Sequence, residues 1–314
     1  MKTMDDDAKA AVVLTTRLGR KDRPALSPAA WHSLVQALRD VGVRPGDLFD
    51  ADVISKASVS EDLGARLAVL LEDTVAVSVE MDSLFGKGIR VLTIGDDEYP
   101  DRYRELLGTQ APPVLFVVGD RGLLASDGVG IVGSRNVDEA GADAARALAA
   151  EAARAGRTVI SGGARGVDQL AMAAAFQAGG SVVGVLADSM ESRIRSSETL
   201  QALDSGQICL ITQQHPGVGF SVGAAMGRNK LIYALAKTTV VIAADKGRGG
   251  TWEGASEALR RGYGKVAVWR GDGEGPGNSA LEKLGAWPIR SAEELHDVPD
   301  DDAGRPPVQM SILD

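Results

Sequence analysis

The sequence predicts an α/β protein: a doubly wound, mostly parallel sheet with a small helical domain ahead of it. Three observations carry this. From residue 129 to 269, short continuous apolar runs alternate with helical stretches, as strands do when both faces are covered and crossover helices join them. The first two runs, Val129–Val132 and Thr158–Ile160, each break into a glycine turn that carries an arginine and leads into a helix. Residues 8–84 instead show helix caps and helical apolar spacing. Together these give a Rossmann-like sheet of roughly five or six parallel strands. The expected boundaries are 1–84 for the helical domain, 85–297 for the sheet domain and 298–314 for an acidic tail too short to be a domain.

Composition fits this and narrows the chemistry. At 314 residues, with 44% hydrophobic and 4% aromatic content, one large and one small domain is the natural partition. The single cysteine, Cys209, excludes an intrachain disulfide, and three scattered histidines give no metal-ligand spacing. No metal is expected. The N-terminus lacks the charged-then-apolar pattern of a signal peptide, and no apolar run approaches the ~18 residues of a membrane span. A soluble, cytoplasmic protein without membrane contact is expected. The net charge of −9 is unevenly spread: residues 128–290 hold 18 Lys/Arg against 15 Asp/Glu, and the flanks hold 16 against 28. The acidity therefore lies outside the sheet region, which can still present a local basic groove.

In order, residues 1–7 read as an acidic tail, and Ala8–Leu18 has helical spacing. Ser27-Pro28 is a cap followed by a first-turn proline, opening a helix through Trp31, Leu34, Val35 and Leu38. Helices at Pro45–Phe49, Glu61–Glu72 and Val75–Phe85 complete the module. Its basic turn, Leu18-Gly19-Arg20-Lys21-Asp22-Arg23, reads as solvated surface, with phosphate contact as the alternative. Gly88–Thr93 is a strand, Tyr103–Leu107 a helix, and Ala111–Asp120 a strand opened by prolines. Beyond the two glycine turns come a strand at Ser181–Leu186, a helix at Ser192–Leu203 and a strand at Ile208–Ile211, with Cys209 as a buried small hydrophobe. A loop over Thr212–Ala225 precedes Arg228-Asn229-Lys230 and a helix at Leu231–Ala236. Thr239–Ala244 is a strand, Gly249-Gly250-Thr251 a turn, Trp252–Arg261 a helix and Val266–Trp269 the last clear strand.

The glycine turns point to chemistry. Glycine lets backbone approach a ligand, and exposed N–H groups at the start of the next helix favour an anion. Two such turns on neighbouring strands lie side by side at the carboxyl edge, where ligands of these sheets bind. The candidate phosphate site comprises Gly133, Ser134, Arg135 and Asn136 from the first turn, and Gly162, Gly163, Arg165, Gly166 and Asp168 from the second. Arg228, Asn229 and Lys230 join them. Arg135 can fork onto a phosphate or brace the neighbouring loop through Asp168. Arg165 and Asp168 either pair with each other or serve the ligand. Arg228 and Lys230, read at a helix start, oppose the helix dipole, which suggests an anion between them. No G-x-G-x-x-G turn follows an apolar run and no Walker lysine is present, so no NAD, no ATP hydrolysis of that kind and no other cofactor is expected. No nucleophile–base pair marks a catalytic residue.

Ile131-Val132-Gly133-Ser134-Arg135-Asn136, Ser161-Gly162-Gly163-Ala164-Arg165-Gly166-Val167-Asp168 and Gly227-Arg228-Asn229-Lys230-Leu231-Ile232 resemble, in order and approximate spacing, the three signatures of the DNA-processing protein A (DprA/Smf) family. The resemblance covers roughly residues 85–290. It implies that the strands at 88–93 and 111–120 extend the sheet at one edge, and that the Arg228 region contributes to a groove for single-stranded DNA. It further implies a homodimer that helps load a RecA-type recombinase. Relatives carry aromatic or proline residues just before the Arg-Asn pair; Ala225, Met226 and Gly227 stand there, with Phe220 the nearest ring. Gly249-Gly250-Thr251-Trp252-Glu253 is similar to the Gly-Gly-x-Gly-Thr…Glu loop of the Lonely-guy nucleoside-monophosphate phosphoribohydrolases of the same superfamily, although Glu253 follows the threonine by two residues, not three. The sequence thus supports a single-strand-binding protein for DNA uptake and recombination, with a sensor or hydrolase of a nucleotide-derived small molecule, as in antiphage defence, as the alternative.

Overall fold

A computed structural model of the chain describes residues 4–20, 22–50, 52–53 and 60–299. Among the described residues, four α-helices and a 3-10 turn at Pro45–Phe49 come first: α1 (Asp6–Thr15), α2 (Pro28–Asp40), α3 (Glu61–Glu72) and α4 (Thr74–Gly86). Ser27 caps α2 by accepting from Ala30 N, with Pro28 in the first turn, as its sequence requires. The sheet region then runs β1 (Arg90–Thr93), α5 (Asp101–Leu107), β2 (Val114–Gly119), β3 (Gly128–Val132), α6 (Glu139–Arg154), β4 (Thr158–Ser161), α7 (Val167–Gln177) and β5 (Val182–Val185). It continues through α8 (Met190–Arg193), α9 (Ser197–Asp204), β6 (Ile208–Thr212), α10 (Val222–Leu235), β7 (Thr238–Val241), α11 (Gly249–Arg261), β8 (Lys265–Trp269), α12 (Asn278–Lys283) and β9 (Trp287–Ile289).

The nine strands form one sheet in the order β1-β2-β6-β5-β4-β3-β7-β8-β9. Every pairing from β6 through β9 is parallel. The β1–β2 and β2–β6 pairings are antiparallel, so the first two strands extend one edge, as expected. β9 escapes the sequence reading because three residues containing a proline make no strand pattern. The helix expected at Ser192–Leu203 is two, because α8 stops at Arg193 and Ser196 opens α9 by accepting from Thr199 N.

Side chains alternate along each strand, with Val129, Ile131, Val159, Val182 and Leu210 on one face and Val132, Ile160, Val183, Val185 and Ile211 on the other. The first face packs α6, α7 and the N-terminal helices; the second packs α5, α10, α11 and α12. Leu14, Leu34, Leu70 and Leu84 of the helical region belong to the same continuous core as the first face. The basic turn of that region is structural. Arg23 is 1% exposed, donates to the carbonyls of Val13, Leu18 and Leu70, and pairs with Asp73 at 3.1 Å. Arg20 pairs with Asp22 and Asp73. Lys21 of that turn and residues 300–314 of the expected acidic tail lie outside the described residues.

Candidate functional site

Strands β4, β5 and β6 lie on one side of β3, and β7, β8 and β9 on the other. The order in which strands are added therefore reverses between β3 and β7, and in open parallel sheets the crevice at such a point is where ligands bind. A cleft of about 570 Å³ opens there, between the first glycine turn, α10 and the start of α11.

The first turn presents its arginine to this cleft. Ser134 Oγ accepts from Asn136 N at 3.1 Å, closing the turn on itself. Arg135 is exposed, and its guanidinium lies 5.1 Å from the centroid of the Phe220 ring. The bracing contact to Asp168 is not formed. Gly133 is required by packing: a Cβ there would come within 2.6 Å of Val167, so its absence lets α7 sit against the end of β3.

The second turn holds one of the chain's own cations. An ideal Cβ on Gly162 would fall 0.9 Å from Arg228 Nη1, so glycine at 162 is the slot that receives this guanidinium. Arg228 is 5% exposed and pairs with Asp168 at 3.5 Å, itself 6% exposed. The backbone N–H groups of Gly133, Gly162 and Ala164 also donate to Asp168. Burial pushes the Asp168 carboxyl upward against the lowering pull of Arg228 and these three donors. The same burial lowers the Arg228 guanidinium, while Asp168 and Asp188 oppose the fall. Arg165 does not pair with Asp168. It donates to Asn136 Oδ1 at 2.6 Å and so ties the second turn to the first. Gly166, at φ +87°, passes so close to Ser134 O that a Cβ would lie 2.4 Å from it, and Gly163 also adopts a left-handed φ of +67°.

Arg228 and Lys230 are not at a helix start. The helix begins six residues before Arg228, at Val222, because Ser221 caps it by accepting from Ala224 N. The argument from an unfavourable dipole therefore lapses, and helix geometry separates the two cations. Arg228 points down into the sheet. Lys230 borders a separate groove of about 290 Å³ beside Thr15, Pro113 and Gln213, where burial lowers its ammonium and Glu257 opposes the shift. Asn229 sits between them and donates to Gly250 O at 2.9 Å, fastening α10 to α11. Thr251 Oγ1 donates to Gly133 O at 3.1 Å, fastening α11 to the first turn.

Sequence reasoning missed Met226 and Arg248 as cleft residues and the role of Phe220. Phe220 stands eight residues before Arg228, and only a helix starting at Val222 brings it over Arg135. Its loop is anchored at His215. Nδ1 accepts from Gly217 N at 3.0 Å, so Nε2 carries the proton and donates to Glu80 Oε1 at 2.7 Å. Among the described residues, no group of three or more His, Cys, Asp or Glu side chains could hold a metal ion, and no helix is long and apolar enough to cross a membrane.

The profile of the DNA recombination-mediator protein A family matches residues 90–298, from the first residue of β1 to just past the last strand. The chain is 30% identical over 214 residues to the DNA processing protein DprA of Bacillus subtilis, covering 67% of this chain and 71% of that protein. It is 29% identical over 238 residues to a putative DNA processing protein DprA of Mycobacterium tuberculosis, covering 71% of this chain and 57% of that protein's length. The X-ray structure of DprA from Streptococcus pneumoniae matches with a TM-score of 0.69 at 21% identity, over 94% of this chain and 99% of that one. DprA from Helicobacter pylori, described for its single-stranded DNA binding mode, matches with a TM-score of 0.54 at 21% identity, over 67% and 94%. With the profile covering the whole sheet and the Bacillus subtilis protein 30% identical over 214 residues, the chain belongs to the DNA-processing protein A family.

Proposed function

We propose that this chain binds single-stranded DNA in the cleft at the carboxyl edge of its sheet and acts in DNA processing during DNA uptake and recombination. The observation that carries the reading is the pairing of Arg135 with Phe220 at the cleft: an exposed guanidinium without a carboxylate partner stands against an exposed ring. Phe220 is 51% exposed, and Met226, which also lines the cleft, is 55% exposed. A cation beside a ring and a thioether supplies what a strand needs, a phosphate contact and a surface on which a base can stack. The single-strand binding described for the Helicobacter pylori relative supports the same reading. By family analogy the protein is a cytoplasmic homodimer that hands its strand to a RecA-type recombinase. No residue here is assigned a catalytic role.

Fluorescence anisotropy of a labelled oligothymidine, measured across a salt series, tests the reading. Arg135→Ala is expected to weaken binding several-fold and to lower the salt slope by about 0.7, the loss of one phosphate contact on a single strand. Phe220→Ala is expected to weaken binding at every salt concentration without changing the slope. Parent-like binding by both variants would remove the cleft from the reading.

A further inference from the structure

The loop that delivers Phe220 to the cleft buries almost nothing of its own. Every residue from Gly217 to Gly223 is exposed, and glycine stands at 217, 219 and 223. One end is fixed where Ser221 caps α10. The other is fixed just before Gly217, where Pro216 is buried and the His215 side chain is 9% exposed. A segment with so few apolar contacts stays in place only through the hydrogen bonds that reach it.

Those bonds come from the helical module. Glu80, in the middle of α4, takes two donors at once. Its Oε1 accepts from His215 Nε2 at 2.7 Å, and its Oε2 accepts from Gly19 N, just after α1, at 2.6 Å. The other ring nitrogen of His215 accepts from Gly217 N, and Val218 N donates to His215 O at 3.0 Å. A single relay therefore runs from the end of α1 through one carboxylate and one imidazole to the backbone three residues short of Phe220. A second contact braces the same place. Lys87, one residue past α4, pairs with Glu191 at 2.8 Å, and Glu191 N donates to Pro216 O at 3.1 Å. Ser189 Oγ donates to the same carbonyl. The sheet does not need the relay, since β6 ends at Thr212 and Ser221 caps α10 without it. Its effect falls on the segment between them, which carries the ring that faces Arg135.

We propose that the helical module sets the affinity of the cleft for a strand, with Glu80 and His215 as positioning residues that hold Phe220 beside Arg135 in the free protein. Such preorganisation spares a strand the ordering of the loop when it binds. The inference rests on the strand-binding reading and adds to it a part of the molecule that contributes none of the cleft lining among the described residues.

Two measurements on the full chain test it. In the first, without ligand, amide exchange of residues 216–221 is followed by mass spectrometry. Glu80→Ala, at a partly exposed position, is expected to speed exchange there by about threefold or more while the strands keep parent rates. In the second, labelled oligothymidine is titrated by anisotropy. Glu80→Ala and His215→Ala are each expected to weaken binding by about three- to tenfold, the worth of one such hydrogen bond. The salt slope is expected to stay unchanged, because no phosphate contact is lost. With Phe220 already alanine, neither substitution is expected to weaken binding further by more than about twofold. The two ring nitrogens separate a clasp from a local turn. His215→Gln reaches Glu80 but not Gly217 N, and is expected to bind within about twofold of the parent. His215→Asn keeps an acceptor for Gly217 N but falls short of Glu80, and is expected to bind like His215→Ala. Rescue by asparagine and not by glutamine overturns the proposal, and so does full additivity with Phe220→Ala. Parent-like binding by Arg135→Ala and Phe220→Ala would remove the strand reading itself. Weakened binding by those two beside a parent-like Glu80→Ala overturns this inference alone.

Discussion

The two glycine turns at the centre of the sheet look alike in sequence and do different work. After β3, Gly133-Ser134-Arg135-Asn136 sends its arginine outward to an aromatic ring at the cleft. After β4, Gly162-Gly163-Ala164-Arg165 ties its arginine back to the first turn and gives its glycine gap to Arg228, a cation from a helix 60 residues further on. A glycine beside a strand end therefore does not by itself mean that a ligand approaches. At 162 the group that approaches is the chain's own guanidinium, held by a buried carboxylate. One turn is presented and the other is occupied, and the occupied one sets the position of the presented one.

The sharpest way to break this contrast is Gly162→Ala. The added methyl would have to eject the guanidinium and leave Asp168 buried without its partner, which costs about 3–5 kcal/mol. In an Arg228→Met background the same alanine is expected to cost less than about 1.5 kcal/mol, since the slot is then free of charge. Chemical denaturation of the four proteins measures the cycle, and simple additivity would mean that the slot is not what glycine serves there. Next in size, Arg135→Ala and Arg165→Ala should separate on the oligonucleotide. The first is expected to weaken affinity several-fold with stability within about 0.5 kcal/mol of the parent. The second is expected to shift affinity by no more than about twofold, through a loosened first turn. Lys230→Ala, on the far side of α10, is expected to leave cleft binding unchanged in the same assay. The smallest effect is at Cys209. Burial pushes its thiol well above the ordinary range, so a thiol reagent is expected to label it only as fast as the native protein unfolds.

Most of the fold was legible because it rests on local patterns. Apolar runs of three to six residues, glycine at their ends and the serine cap at 27 locate the strands and several helices nearly to the residue. The start of α10 was not legible. Gly223 and Gly227 each lower helix propensity by about 1 kcal/mol relative to alanine, so the segment reads as loop. Packing of α10 over the sheet and against α11 overrides that preference. The error propagated to the site, since it placed Arg228 and Lys230 at a helix end beside one anion when a rotation along the helix separates them. The Asp168–Arg228 pair was likewise invisible, because a contact between residues 60 apart leaves no spacing to recognise. Arg135 needed no such contact: its place in the turn after β3 follows from the local pattern alone.

The helix α10 is also the connection that carries the chain from β6, on one side of the reversal, to β7, on the other. Its last carbonyls, on Ala234 and Ala236, accept from the guanidinium of Arg102 on α5, and Asn229 fastens its middle to α11. In mechanical terms the roof over the cleft is a beam built into the wall at its C-terminal end and bolted at midspan. Such a roof cannot swing open as a lid. A strand must be threaded along the edge or laid in from the side, and entry then depends on the short loop from 213 to 221 that leads into the beam. Occupancy would register as slowed amide exchange at the end of β7, where Ala243, two residues on, lines the cleft.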